Sequence, residues 1–285
     1  MAGVGSIPVV DHHCHLSPTG EGLAAVARFR AAGGTHLFLA TQNYDARVPT
    51  DLEGYRRQFE LTERLARRSR EECGVEVYLV VAPYPIDLLA AAESLGLEPA
   101  LALQRAALDL AGRWVRERRA VAIGEVGWPH FAVESGVAAA SRSAFQHALE
   151  VAREAGCPAV VHGPDLDAAG WRGLGDDARR AGLEPGRVIK HYARSPRPPG
   201  TEVVASYLAQ RELVTRVLEE PGPWFLETDF LDDPRRPGAV LDLATVPRRA
   251  RALAERGPSF VERLRVPFLD SVERVYGLRP ERRAA

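Results

Sequence analysis

Short apolar runs of strand length alternate along the chain with longer segments in which apolar residues recur at helical spacing. The short runs are rich in β-branched residues, and Gly or Pro flanks several of them, which favours strands. They predict eight strands: Ile7–His12, Thr35–Ala40, Val75–Pro83, Val121–Val126, Ala159–His162, Arg187–Tyr192, Glu202–Ser206 and Trp224–Asp229. The helical pattern predicts six helices: Glu21–Ala32, Leu52–Cys73, Pro99–Arg119, Ser141–Ala155, Val246–Arg256 and Ser259–Tyr276.

This alternation of strands and helices predicts an α/β fold with parallel strands joined by right-handed crossovers. Eight strands favour a closed (β/α)8 TIM barrel over an open doubly wound sheet, and 285 residues suit such a barrel. The segment Ser195–Gly200 is expected to be non-helical because it contains three prolines. The chain shows no internal repeat or linker, so residues 1–285 are expected to form one domain.

Residues with metal-binding side chains stand at the predicted C-terminal ends of several strands. They are the segment Asp11-His12-His13-Cys14-His15, followed by Glu125, His162, His191 and Asp229. In a parallel barrel these strand ends form one rim, which is where such folds place their active sites. The order therefore predicts an active site at the C-terminal rim.

Alternate residues of a strand share a face, so Asp11, His13 and His15 are expected to point the same way. The two histidines could bind one cation, and a carboxylate from another strand could bridge to a second cation held by two further imidazoles. Such ligands suit zinc, manganese or iron, with magnesium less natural. A lone strand histidine is more often a packing residue, but the ordered set of histidines and carboxylates favours a metal site.

Five segments resemble those of the TatD family of metal-dependent hydrolases, in the amidohydrolase superfamily. They are VVDHHCHLSP, AIGEVG, VVHG, VIKHY and FLETD, which run in the expected order from residue 9 to 229. The resemblance implies a (β/α)8 barrel with one or two divalent ions, such as Zn, Mn or Mg. The implied ligands fall into two groups: His13, His15 and Asp229 for one ion, His162 and His191 for the other, with Glu125 bridging them.

The loops after the ligands depart from the usual family pattern, and the segment after Asp229 resembles an archaeal branch. These loops carry the candidate substrate-binding residues Trp128, His130, Arg194 and Arg235. Arginine suits bidentate phosphate recognition, and tryptophan can stack on a base. The alternatives are lid packing for the tryptophan and a solvated surface for the arginines. The departures put the deoxyribonuclease activity of better-known relatives in doubt.

The expected mechanism uses metal-activated water, with Asp229 taking its proton and later passing it to the leaving group. Glu125 is the second expected catalytic residue. Asp11 could orient an imidazole through a hydrogen bond, or make a structural buried hydrogen bond. Glu227 is expected to need a partner, because burying an unpaired carboxylate is costly. Lys190 is not expected to be a ligand, because it alternates with His191 in the strand.

The balance of 37 basic and 38 acidic residues argues against a non-specific nucleic-acid coat but not against a local basic patch. No apolar run is long enough for a transmembrane helix, and the N-terminus does not resemble a signal peptide. Three cysteines, an odd number, suit the reducing cytoplasm.

Two classes of function stay open for the predicted metal site. The first is a phosphodiesterase acting on nucleic acid, such as a deoxyribonuclease. The second is an amidase, deacylase, lactonase or ester hydrolase acting on a small molecule. A non-catalytic metal-binding barrel is disfavoured because every expected ligand is present.

Overall fold

The structure, a computed structural model, describes residues 7–45, 47–233 and 240–281. Its strands are β1 (Val10–His15), β2 (His36–Ala40), β3 (Glu76–Val81), β4 (Ala122–Gly127), β5 (Ala159–His162), β6 (Val188–Ala193), β7 (Val204–Leu208), β8 (Trp224–Glu227) and β9 (Phe230–Leu231). Its α-helices are α1 (Leu23–Ala31), α2 (Leu52–Cys73), α3 (Asp87–Leu95), α4 (Leu97–Arg116), α5 (Ser135–Ala155), α6 (Ala168–Arg180), α7 (Arg211–Val217), α8 (Thr245–Ala254), α9 (Pro258–Arg265) and α10 (Ser271–Tyr276). A π-helical turn, Val266–Asp270, joins α9 to α10.

The strands form one parallel sheet in the order β8-β7-β6-β5-β4-β3-β2-β1-β9. β9 follows β8 directly along the chain, and it pairs with β1 through Cys14 with Phe230 and His15 with Leu231. β8 and β9 are therefore the two halves of one bent strand, which closes the sheet. The predicted α/β barrel fold is confirmed.

Most elements agree with the sequence pattern, and α2 and β5 begin and end at the predicted residues. β1 begins at Val10 rather than Ile7, because Pro8 has no N–H to donate to a ladder. β1 also ends at His15 rather than at His12, so the histidine pair lies inside the strand and not after it. The helices α3, α6 and α7 were not predicted; three glycines in α6 weaken its helical pattern.

The C-terminal helix closes the end of the barrel where the strands begin. The backbone N–H of Trp224, the first residue of β8, donates to Ser271 Oγ at 3.1 Å. Tyr276 lies in the same helix, is partly buried, and contacts His12 of β1. The candidate site lies at the opposite rim, where the strands end.

No helix among the described residues combines the length and the apolarity needed to cross a bilayer. Cys14, Cys73 and Cys157 all carry free thiols.

Candidate metal centre

Three of the strands contain a register irregularity at a predicted ligand. The pairing shifts within β1 around His13, within β4 at Glu125 and within β6 around His191. An extra residue in one strand breaks the alternation of side chains and re-aims the bulged residue. These irregularities help to bring side chains from separate strands to one point.

The first half of the centre lies around one oxygen of Glu125. Its Oε1 is 2.7 Å from His13 Nε2 and 3.0 Å from His15 Nε2, and the two nitrogens are 3.2 Å apart. Asp229 Oδ1 lies farther out, at 3.8 and 3.9 Å from the same nitrogens. His15 Nδ1 is 3.2 Å from the carbonyl oxygen of Ala40, so in the neutral ring Nδ1 donates and Nε2 carries the lone pair.

The second half lies around the other oxygen of Glu125. Its Oε2 is 3.0 Å from His162 Nδ1 and 3.6 Å from His191 Nε2. The two imidazole nitrogens are 3.4 Å apart. Each oxygen of the buried Glu125 carboxylate therefore faces one pair of histidines.

These separations fit bound divalent cations. Ligands about 2.0–2.1 Å from a tetrahedral ion stand about 3.3 Å from one another. The ligand atoms in each half lie within 4.8 Å of one another, and most are close to that spacing. In the first half, the Nε2 atoms of His13 and His15 lie close to each other and to the same oxygen of Glu125, as ligand atoms around one cation would. The residues can hold a metal.

The two carboxylates of the centre differ in their pKa. Burial would raise the pKa of Glu125, but the imidazoles of His191, His13 and others around it lower it well below its ordinary value. Burial raises the pKa of Asp229 well above its ordinary value, and the negative charge of Glu125 adds to this. Asp229 is also the more accessible, with 17% of its side chain exposed against 4% for Glu125. Asp229 is therefore the carboxyl that more readily holds a proton.

Asp11 lies against the bend between β8 and β9. Its Oδ2 accepts from Thr228 Oγ1 at 2.7 Å, and its Oδ1 accepts from the backbone N–H groups of Thr228 and His13. Burial raises the pKa of Asp11 to about 7. These bonds are of the structural kind, and an orienting role of Asp11 towards an imidazole stays a prediction.

Glu227 is fully buried beneath the centre, as its position two residues before Asp229 suggested. Its Oε1 accepts from the backbone N–H of Tyr192 at 2.6 Å and lies 3.5 Å from His191 Nδ1. The partner that the sequence required for this carboxylate is therefore present.

The candidate substrate residues after β4 lie in two different settings. Trp128 meets Phe145 of α5 edge to face at 5.1 Å, and the guanidinium of Arg142 covers its ring at 4.7 Å. Its position thus resembles the packing alternative. His130 is exposed, and its Nδ1 lies 3.3 Å from His162 Nε2.

The basic residues near the later strands are less engaged. Arg194 is exposed and lies 3.7 Å from Asp165 Oδ2, and Arg235 falls outside the described residues. Lys190 Nζ donates to the carbonyl of its neighbour His191 at 2.6 Å, so it is occupied away from the ligand set.

Two residues near the centre were missed from the sequence. Tyr84 Oη lies 3.4 Å from His162 Nε2, and Tyr84 follows the end of β3, so the strand-end rule could have found it. Asp232 accepts from the backbone N–H groups of Ser17, Glu21 and Gly22 at 2.7–2.8 Å, which ties the loop after β1 to the end of β9. No local sequence pattern predicts this role of Asp232.

A parallel barrel with four histidines and two carboxylates meeting where its strands end defines a TIM-barrel metal-dependent hydrolase. Residues 10–277 match the family described as TatD related DNase, and the chain belongs to that family. The membership predicted from the motifs is confirmed.

The chain is also similar to individual proteins. An uncharacterized protein of Methanocaldococcus jannaschii is 28% identical over 279 residues, covering 96% of this chain and 97% of that protein. The solved structure of a TatD-like protein from Archaeoglobus fulgidus has a TM-score of 0.62 at 15% identity, covering 94% of this chain and 100% of that one. A mutant PTE-like lactonase from Deinococcus radiodurans has a TM-score of 0.60 at 17% identity, covering 97% of this chain and 98% of that one. Both structural likenesses show the fold alone.

Proposed function

We propose that the protein is a divalent-metal-dependent hydrolase whose rim site holds two ions bridged by Glu125. The observation that carries this proposal is the division of the ligand set, with Oε1 facing His13 and His15 and Oε2 facing His162 and His191. Imidazole-rich sets favour zinc, manganese or iron over magnesium. The site belongs to one barrel domain, taken as residues 1–285.

A divalent cation in this site would supply Lewis-acid chemistry, lowering the pKa of a water molecule and polarising the substrate. Asp229 takes the proton of the attacking water and returns it to the leaving group, because it is the more accessible of the two carboxyls. Glu125 keeps its charge and holds the two halves of the site together. His130 and Tyr84 stand beside His162, at the side from which a substrate would enter.

The preferred substrate is a phosphodiester of a nucleic acid, as the family description suggests. Arg194 supports this because it is exposed on the loop after β6 and only loosely paired with Asp165, so it is available to a phosphate. The three free thiols fit action in a reducing compartment such as the cytoplasm.

A small-molecule ester or lactone is the second candidate, and one cavity favours it. This cavity, of about 210 Å³, lies between the ends of β1, β2 and β9, on the rim that carries the ligand set. Its lining is polar and includes Ser17, Gln42, Asp232 and Asp233. Two aspartates at its wall would repel a polyanion, whereas a small neutral molecule would meet hydroxyl and amide groups there.

A substrate and metal screen tests the proposal. The protein loaded with zinc, manganese or magnesium is offered single-stranded DNA, a chromogenic phosphodiester, and panels of esters, lactones and amides. Turnover of the first two supports the nucleic-acid substrate, and turnover of esters or lactones alone supports the second candidate.

The substitution Glu125→Gln tests the bridge in the same screen. It should abolish turnover and reduce the metal content per chain, because an amide cannot bridge two cations as a carboxylate does. Glu150→Gln, an exposed change on α5, is the matched control and should behave as the wild type. A folded Glu125→Gln protein with full activity and metal content would contradict the proposal.

A further inference from the structure

Three buried polar atoms on neighbouring residues next to the proposed ligand set have no hydrogen-bond partner. They are His13 Nδ1, His191 Nδ1 and Glu227 Oε2. The three residues each bring one ligand-type atom to within 4.8 Å of the others. An orphaned buried polar atom costs about 1–3 kcal/mol, so a set of two possible donors and one acceptor is expected to be mutually satisfied. Direct contact or a single bridging water would achieve this.

The ring geometry decides which nitrogen of each histidine carries the proton. His13 and His191 stack on each other, with ring centroids 4.2 Å apart and planes inclined by 23°. Their Nε2 atoms face the two oxygens of Glu125, where lone pairs are needed for cations. In the neutral rings the proton is then on Nδ1, which in His191 lies 3.5 Å from Glu227 Oε1 and in His13 is buried without a partner.

Glu227 has the capacity to accept from both rings. An ionised carboxylate offers about four acceptor positions and no donor. Tyr192 N–H takes one position on Oε1, at 2.6 Å, and His191 Nδ1 lies 3.5 Å from the same oxygen. Oε2 has no partner, and His13, whose Nδ1 also has none, belongs to the same cluster.

A chain of hydrogen bonds behind Glu227 holds this carboxylate in place. Ser206 bonds to Glu227, His12 Nδ1 lies 3.0 Å from Ser206 Oγ, and His12 Nε2 lies 2.7 Å from Tyr276 Oη. Because Glu227 only accepts, the direction of the whole chain follows: Tyr276 donates to His12, His12 to Ser206, and Ser206 to Glu227. The C-terminal helix thereby supports the carboxylate under the metal ligands.

We propose that Glu227 is a positioning residue shared by both halves of the centre, where it holds the Nδ1–H groups of His13 and His191 so that both Nε2 lone pairs face the cations. This inference rests on the proposed function for the role of the two histidines. Carboxylates or carbonyls that orient ligating histidines are general in metal sites. Here one carboxylate would serve two ligands that belong to different ions.

The first test observes the imidazole protons in the metal-free full chain labelled with ¹⁵N-histidine. The expected long-range ¹H–¹⁵N spectrum shows His13 and His191 as Nδ1–H tautomers, assigned with the variants His13→Asn and His191→Asn. Glu227→Gln should shift the signals of both rings, because an amide offers one acceptor oxygen in place of two. Glu220→Gln, another largely buried glutamate, should leave them unchanged. Nε2–H tautomers in the wild type, or signals that Glu227→Gln leaves in place, would overturn the proposal.

The second test measures zinc binding by competition with a chromogenic chelator. Glu227→Gln should weaken both zinc ions by about 10–100-fold, the usual effect of removing an orienting partner, and Glu227→Asp should restore part of the loss. Weakening of only one ion would refute the shared role. Loss of a third zinc equivalent would show that Glu227 is itself a ligand. Should Glu227→Gln fail to fold, Ser206→Ala removes one support of the carboxylate and should give the same changes at smaller size.

The two tests separate this inference from the proposed function. If the wild type binds no zinc, or Glu125→Gln binds it as well as the wild type, the proposed metal centre fails. The tautomer spectrum of the metal-free protein would still decide whether Glu227 holds the two imidazoles.

Discussion

Replacing Gly127 by alanine would displace His162, one of the proposed metal ligands. Gly127 ends β4 two residues after Glu125, with φ of +147°, a conformation that side chains rarely adopt. A Cβ there would stand 1.9 Å from the carbonyl oxygen of His162 and 3.0 Å from its carbonyl carbon. Ordinary contact begins near 3.4 Å, so the two strands would have to separate by about 1.5 Å.

The expected cost of Gly127→Ala has two parts. The strained φ alone costs about 1–3 kcal/mol. Because the clash is with backbone, no side-chain rotation relieves it, and we expect the free energy of unfolding to fall by at least 3 kcal/mol, to order of magnitude. Displacing His162 by about 1 Å should also lower turnover by about 100-fold. Urea unfolding measures the first effect, and zinc competition with kinetics measures the second.

Gly136→Ala is the matched control for this substitution. Gly136 lies in the first turn of α5, and a Cβ there would meet only Leu97 Cδ2, at 3.6 Å. Alanine in a helix is favoured over glycine by about 0.5–1 kcal/mol, so this variant should be slightly more stable than the wild type. If Gly127→Ala unfolded at the same urea concentration as Gly136→Ala and bound zinc as tightly, the close approach of β4 to His162 would be refuted.

Three further predictions concern a buried carboxyl, a largely buried ion pair and the binding of zinc. Burial raises the pKa of Asp87 from 3.8 to about 7, so its contribution is present below pH 4 and is lost as pH rises through 7. The contribution of Asp87 to the wild-type unfolding free energy should fall across this window by up to about 4 kcal/mol, so the difference between the wild-type and Asp87→Asn profiles should fall by that amount as pH rises to 7; a difference that stays constant with pH contradicts this. Arg197→Met leaves Glu220 without its largely buried partner and should cost about 3–5 kcal/mol in urea unfolding, and a loss below 1 kcal/mol would refute the pairing. Free zinc at 100 times its Kd should raise the unfolding free energy by about 2.7 kcal/mol, reversibly with a chelator, and Glu125→Gln should lose most of this gain.

The convergence of the six candidate ligands could be predicted because barrel strands are short and their ends meet at one rim. His162, His191 and Asp229 lie far apart along the chain, yet each stands at the end of an apolar run. The C-terminal ends of parallel strands in one closed sheet lie at the same rim, and the six predicted ligands lie close together there. The prediction needed only the hydrophobic periodicity of each segment and the order of the segments along the chain, and both can be read directly from the sequence.

The orientation of residues around the ligands could not be predicted in the same way. Strict alternation placed His12 with Cys14, away from the site, and placed Asp11 below the histidine pair. In the structure the irregular pairing of β1 turns His12 towards Ser206, and Asp11 bonds to Thr228. A rule of period two fails wherever one strand gains a residue relative to its neighbour.

The irregularities themselves are set by contacts between distant segments. Tyr192 has a left-handed backbone, φ 55°, and its N–H is held by Glu227 from another strand. Asp229 also has a left-handed backbone, φ 49°, and its N–H donates to the carbonyl oxygen of His13. Each of these two residues directly follows a proposed ligand or is one, and its partner lies on a strand that carries a different proposed ligand or leads to one. Local rules therefore fail at the positions where the strands support one another, which is where a functional site is expected to depart from them.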